Sequence, residues 1–300
     1  MSVIRKKSHI RLSTSERVFY IVNASLLVLF GILCLYPLLC MLSSSISTPD
    51  AVGRGIVTWY PIGFSLEGYK LVLTDQKLMR GFLNSIFYTV AGTALNVFFT
   101  LITAYALSRK ELIGRKFINF LFSFTMWFSG GIIPLYLLVR AMHMTNTVWA
   151  MLVPNLIGVW YMMVCRTNIA NTIPEELFES ASLDGCGYFR YLCSILLPLS
   201  KAIIAVLALW YAIDHWNGYF NALIFIVDKK LWPLSLYLRS YLVLQEAVDA
   251  EEVAGAVSVF GVTDLMKNAL IVLSCLPLWL LYPFIQKFMV KGIMVGSVKG

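Results

Sequence analysis

Charge is scarce in this sequence and absent from long stretches of it. Only 13% of the residues are Asp, Glu, Lys or Arg, against roughly a quarter in a soluble domain. None occurs from Val18 to Pro49, from Gly81 to Ser108, from Phe117 to Val139, or from Ala141 to Cys165. A fifth gap, Ala202 to Val227, is broken only by Asp214, and a sixth runs from Asn268 to Gln286. A helix needs about 20 apolar residues to cross a hydrocarbon core, and each gap contains such a span. Bundled helices satisfy their backbone groups without water. The pattern therefore predicts an all-α integral membrane protein with six transmembrane helices, at 18–42, 81–107, 117–140, 148–166, 202–227 and 265–286. The first apolar stretch, Val18 to Met41, exceeds a signal-peptide h-region of about 7–15 residues and is read as a retained span.

Other absences narrow the function. The six cysteines form no CxxC pair and are read as small apolar residues. The three histidines are scattered, without metal-ligand spacing. No catalytic constellation spans the helices, which argues against a membrane-embedded enzyme. A phosphate-cradling P-loop ends in Gly-Lys-Ser/Thr, and the chain has no Gly-Lys dipeptide. An ion-gradient transporter usually shows two related halves and buried carboxylates; here no repeat is visible and Asp214 alone lies mid-span.

The charge that is present sets the orientation. Arg5, Lys6, Lys7, Arg11 and Arg17 precede the first span; Arg109, Lys110, Arg115 and Lys116 follow the second. Arg166, Arg190 and Lys201 belong to the loop after the fourth span, and Lys287, Lys291 and Lys299 close the chain. By the positive-inside rule these segments, and both termini, are cytoplasmic. Residues 1–17 and 291–300 are read as tails around a permease domain 18–290, with external segments at 43–80 and 228–263. The net charge of +8 is thus a topology signal. Nucleic-acid binding is not expected, because the basic residues flank spans and form no patch. The acidic run Glu246 to Glu252 is read as a solvated helix face.

The segment 168–200 stands where a plain loop would suffice. Thr172 and Glu175 have capping-box spacing, and Pro174 suits a first turn. Glu175, Glu176 and Glu179 favour the positive end of a helix dipole. Leu177, Phe178, Ala181 and Ser182 form one stripe, and Gly185 and Gly187 end the helix. A second helix from Tyr188 places Phe189, Leu192, Ile195 and Leu196 on one face, and Pro198 marks entry to the fifth span. A helix-turn-helix of this kind suits insertion into a groove on a cytoplasmic protein. Its acidic rim disfavours a rest on anionic lipid.

Glu179, Ala181, Gly185, Ile195, Leu197 and Pro198 stand at the spacings of the coupling-loop motif of ABC importer permeases, with Ser180 in place of one alanine. Asp184 resembles the sugar-importing branch. Trp216-Asn217, Pro233-Leu234, the stretch Trp59 to Leu73 and the run Tyr282 to Gly300 resemble the maltose-type permeases. The ending resembles the smaller permease of complex-oligosaccharide importers.

That resemblance implies a type I importer permease fold in a bacterial plasma membrane. It implies a second homologous permease, two cytoplasmic ATPase subunits that hold ATP and magnesium, and an extracellular solute-binding protein. This chain would need no cofactor and would hydrolyse nothing. The helix around Glu179 to Gly185 would dock into an ATPase cleft and drive alternating access. The substrate is expected to be a carbohydrate, an oligosaccharide, with glycerol-3-phosphate or another small solute as the alternative. The polar group Asp214, His215, Trp216, Asn217, Tyr219 and Asn221 is the candidate substrate pathway, because polar side chains within spans face a cavity or partner helix. Trp127, Asn155, Trp160 and Tyr161 are read as packing or interface belt.

Overall fold

The computed structural model describes residues 13–250 and 257–297, with side chains over 13–243 and 261–281. The tail up to residue 12, the side chains of the acidic run Glu246 to Glu252 and those of the run Tyr282 to Gly300 lie outside the described residues. All regular structure among the described residues is helical. Two compact units are formed, residues 1–69 with 255–272 and residues 70–254 with 273–300.

The first unit contains α1 (Thr14–Ser45), α2 (Pro49–Gly53) and the start of α3 (Glu67–Thr74). In α1 the side chains from Val18 to Leu39 are exposed. A helix apolar all round has no face for water, so α1 is a candidate membrane span. Its far end is held by hydroxyls. Ser43 Oγ donates to the Trp59 carbonyl at 2.9 Å, Ser47 Oγ to the Ser43 carbonyl at 2.7 Å, and Ser45 Oγ meets the Tyr69 hydroxyl at 2.8 Å. A Cβ at Gly261 would lie 2.1 Å from the Pro49 carbonyl oxygen, and backbone cannot yield to it. Gly261→Ala is therefore expected to destabilise the protein by about 1–3 kcal/mol. A lowered unfolding midpoint in detergent checks this; an unchanged one contradicts the close approach.

The second unit is built on α4 (Gln76–Ser108). Asp75 caps it, its carboxylate accepting from Lys77 N at 2.7 Å. Its buried stripe includes Gly81, Ser85, Gly92, Asn96, Thr100 and Ala104, small or polar residues that let neighbouring helices come close. There follow α5 (Arg115–Trp127), α6 (Ile132–Ala141), α7 (Trp149–Leu152), α8 (Val159–Thr172), α9 (Glu175–Leu183) and α10 (Tyr188–Tyr191). A π-helical turn (Leu192–Leu196), α11 (Leu197–Leu199), α12 (Lys201–Asn217), α13 (Phe220–Phe225), a 3₁₀ turn (Lys229–Leu231), α14 (Leu234–Ala250) and α15 (Val257–Ser297) complete the chain. Helices α8, α12 and α14 pack along α4.

Among the described residues, three helices are long and apolar enough to cross a membrane: Thr14–Ser45, Gln76–Ser108 and Gly261–Leu281. Two bent pairs raise the number to at most five, where the charge gaps predict six spans. The third predicted span is broken by a 116° bend between α5 and α6, at Gly130 and Gly131, the latter with φ +85°. The fifth, 202–227, is interrupted after Asn217, between α12 and α13, and an 84° bend between Leu199 and Lys201 lies just ahead of it. There Pro198, which lacks an N–H, follows a π turn whose ladder is already widened. The fourth, 148–166, is interrupted between α7 and α8, where Pro154 precedes Asn155 in the left-handed region (φ +61°). The expected external segments are partly helical, as α2, α3 and α14.

Candidate functional site

The 168–200 segment folds as a bent finger, α9 and α10 joined at Gly185. The predicted capping box is absent. Helix α8 runs on through Thr172, and Pro174 is the N-cap of α9 without a side-chain bond. Glu175 is instead paired with Lys110 in the loop after α4. Beside that carboxylate the Lys110 ammonium is held above its usual pKa. Gly185 has φ +78°, and its N–H donates to the Ser182 carbonyl at 3.0 Å. Gly187 lies outside the left-handed region and begins α10.

The finger is fastened to α4 by an arginine in an aromatic cage. Arg109 is the C-cap of α4. Its guanidinium carbon lies 4.0 Å from the ring centre of Phe178 and 4.9 Å from those of Tyr105 and Tyr191. Phe178 comes from α9, Tyr191 from α10. These two rings meet edge to face at 5.1 Å, and Tyr105 stacks on Tyr191 at 6.2 Å. Arg109 Nε makes no hydrogen bond, so the rings are its chief partners. In the sequence the cage is marked only by a lone Arg at the end of an apolar span.

Motif residues sort by exposure. Glu179, Asp184 and Gly185 lie on the open surface of the finger, and Leu183 is 89% exposed at its tip. Ala181, Ile195 and Leu197 face the other way and pack against the core around Leu196 and Ile203. Pro198 is exposed. Phe189, expected on the apolar face with Leu192, is 77% exposed, whereas Leu192 is buried.

The six polar candidates at the end of α12 divide between two cavities. Asp214, His215 and Asn221 line one of about 250 Å³, together with Asn96, Asn155, Tyr161 and Tyr211. Tyr161 donates to Asp214 Oδ2 at 2.8 Å, and His215 Nε2 lies 3.3 Å from Asn96 Oδ1. Tyr211 accepts from Gly158 N at 2.9 Å and meets the Thr100 hydroxyl at 2.6 Å. Gly92 makes room for the imidazole, since a Cβ there would stand 2.3 Å from His215 Nε2. Tyr161 and Asn155, read from sequence as packing or belt, are thus part of the cavity wall. The polar Asn96 inside an apolar span was the overlooked signal.

Trp216, Asn217 and Tyr219 line a second cavity of about 380 Å³. Trp216 is only 7% exposed. Its Nε1 donates to the Ser274 carbonyl at 2.9 Å and its ring meets Phe82 edge-on at 5.8 Å. It packs α12 against α15.

Residues 61–239 match the family described as binding-protein-dependent transport system inner membrane component. The chain is 34% identical over 285 residues to the polygalacturonan/rhamnogalacturonan transport system permease protein YtcP of Bacillus subtilis (strain 168), covering 95% of this chain and 99% of the relative. It is 37% identical over 286 residues to protein LplC of the same organism, covering 95% and 96%. Among solved structures it resembles a chain of a bacterial ABC transporter involved in the import of the acidic polysaccharide alginate. There the TM-score is 0.83 at 33% identity, over 92% of this chain and 98% of that one.

Proposed function

We propose, because this chain belongs to the family of binding-protein-dependent transport system inner membrane components, that it is one permease subunit of an ATP-driven importer of oligosaccharides. Relatives named for polygalacturonan/rhamnogalacturonan and for arabinooligosaccharides support that substrate class. The working assembly pairs this chain with a second permease, two ATPase subunits on the inner side and a solute-binding protein outside. Its six membrane crossings include the bent helices, and both termini face the cytoplasm. ATP and magnesium are held by the ATPase subunits; this chain does no covalent chemistry.

The finger's join to α4 is the observation that supports this reading most. Glu179, Asp184, Gly185 and the tip Leu183 form the docking surface, while Phe178, Tyr191 and Arg109 make the finger one body with α4. A push on the finger then moves α4, and α4 lines the cavity through Asn96. Closure of the ATPase dimer around ATP opens the permease outward, and hydrolysis resets it. In the 250 Å³ cavity Asp214, His215 and Asn221, with Tyr161, offer acceptors and donors to sugar hydroxyls. Trp216 holds helices together rather than sugar.

Reconstituting the permeases with the ATPase and the binding protein in proteoliposomes tests the function. Uptake of an oligosaccharide that needs ATP inside and the binding protein outside is expected. Uptake driven by a proton or sodium gradient without ATP would overturn it. Within such vesicles Asn221→Ala and Asp214→Ala are each expected to raise the KM for sugar about fivefold, since a lost hydrogen bond is worth roughly 1 kcal/mol. Unaltered kinetics in both variants would remove this cavity from the pathway.

A further inference from the structure

The second cavity contains a cation that the transport reading has not used. Arg239 of α14 sits at its wall with its guanidinium carbon 5.0 Å from the ring centre of Tyr219. No carboxylate pairs with Arg239 among the described residues. One wall of the cavity, Ser274, Cys275 and Leu278, belongs to the Gly261–Leu281 candidate span, and the facing wall, Leu234, Ser235, Leu238 and Arg239, belongs to α14. A guanidinium at the wall of a largely apolar cavity gains from a counter-charge. Ser235 Oγ, on the same wall, is buried and has no hydrogen-bond partner. Asn217 spends one donor on the Ile213 carbonyl at 3.1 Å, and its Oδ1 accepts no bond among the described residues. The volume of about 380 Å³ falls in the range of roughly 300–1,000 Å³ common for small-ligand sites.

We infer that Arg239 is the anchor of a subsite for the carboxylate of an acidic sugar, a uronic-acid residue of the transported chain. This deepens the carbohydrate reading and rests on it. A guanidinium is planar and always charged, and its fork of N–H donors matches a carboxylate at two points. The Tyr219 ring, its centre 5.0 Å from the guanidinium carbon, holds that fork at the cavity wall by a cation–π contact. Asn217 and Ser235 then lie on the same wall to take ring hydroxyls, and the apolar part formed by Leu234, Leu238 and Leu278 accepts the carbon face of the sugar. The site would discriminate by charge, where the 250 Å³ cavity with Asp214 would not hold an anion.

The test uses the intact importer complex and two probes, trigalacturonic acid and its carboxyl-reduced neutral analogue. Phenylglyoxal modification of Arg239, read by peptide mass spectrometry, is expected to slow at least about threefold with the acidic trisaccharide and not with the neutral one. Equal protection by both probes, or by inorganic phosphate, overturns the carboxylate subsite. So does an Arg239 that resists the reagent before any probe is added, which places a partner subunit's carboxylate on it. In vesicles, Arg239→Gln is expected to cut acidic-trisaccharide uptake about tenfold and leave neutral uptake within about twofold. A parallel loss of both leaves Arg239 as a brace for α14 and ends the proposal. Protection of Arg239 in a complex that transports neither sugar would fault the transport reading and not the subsite.

Discussion

Glu179→Lys is expected to strip the ATPase subunits from the purified assembly while the permease pair still inserts and stays together. Glu179 lies on the exposed face of α9, with its neighbours Glu175 and Glu176 in the first turn. That face is the part of the finger free of intrachain packing. An interface hot spot is worth roughly 2 kcal/mol or more, so charge reversal there should lower ATPase co-purification by at least about tenfold. Gly185→Leu should act the same way by another route. Its φ of +78° strains any side chain bearing a Cβ. The space beside it is open, so the damage falls on the angle between α9 and α10 and not on the core. Full ATPase recovery with both variants would remove the finger from the interface.

Arg109→Ala is expected to separate hydrolysis from transport. The guanidinium is held by three rings from α4, α9 and α10, and a desolvated cation–π contact is worth about 2 kcal/mol. Without it the finger keeps its Lys110–Glu175 pair, which is solvent-exposed and of small value. The docking face is untouched, so ATPase subunits remain bound and continue to turn over. The push on α9 is lost in the slack before α4. Sugar moved per ATP hydrolysed should fall about tenfold, with assembly unchanged. Arg109→Lys keeps the charge but not the flat stacking surface and should recover only part of the coupling. Equal loss of hydrolysis and uptake would mark Arg109 as a docking or folding residue instead.

The sequence reveals the membrane class because charge gaps report solvent directly. It gives α1 and α4 nearly whole, since each is an apolar run without internal breakers that override it, but only the middle of α15, which runs from Val257 to Ser297 where a span at 265–286 is expected. It hides the bends. Gly130-Gly131 and Pro154-Asn155 lie inside runs that are apolar on average, and mean hydropathy does not register a backbone turn. Thr172 misled for a local reason: its spacing to Glu175 fits a capping box, but Pro174 starts the helix two residues later and Lys110 claims the carboxylate. Gly185 was legible because a left-handed residue after an amphipathic helix has one common cause. The Arg109 cage was not, because its rings come from three helices far apart in the chain. The α12 cluster was visible as polar residues in a span, but only the fold separates Trp216, turned to Ser274, from Asp214, turned to Tyr161.

The docking claim comes down to where the finger's tip resides in the working transporter. A photo-crosslinking amino acid at position 183, replacing the 89% exposed Leu183, reports this in intact vesicles. The account predicts a crosslink to the ATPase subunit, strengthened when ATP closes the dimer. A tip that labels only phospholipid, with and without ATP, would contradict it.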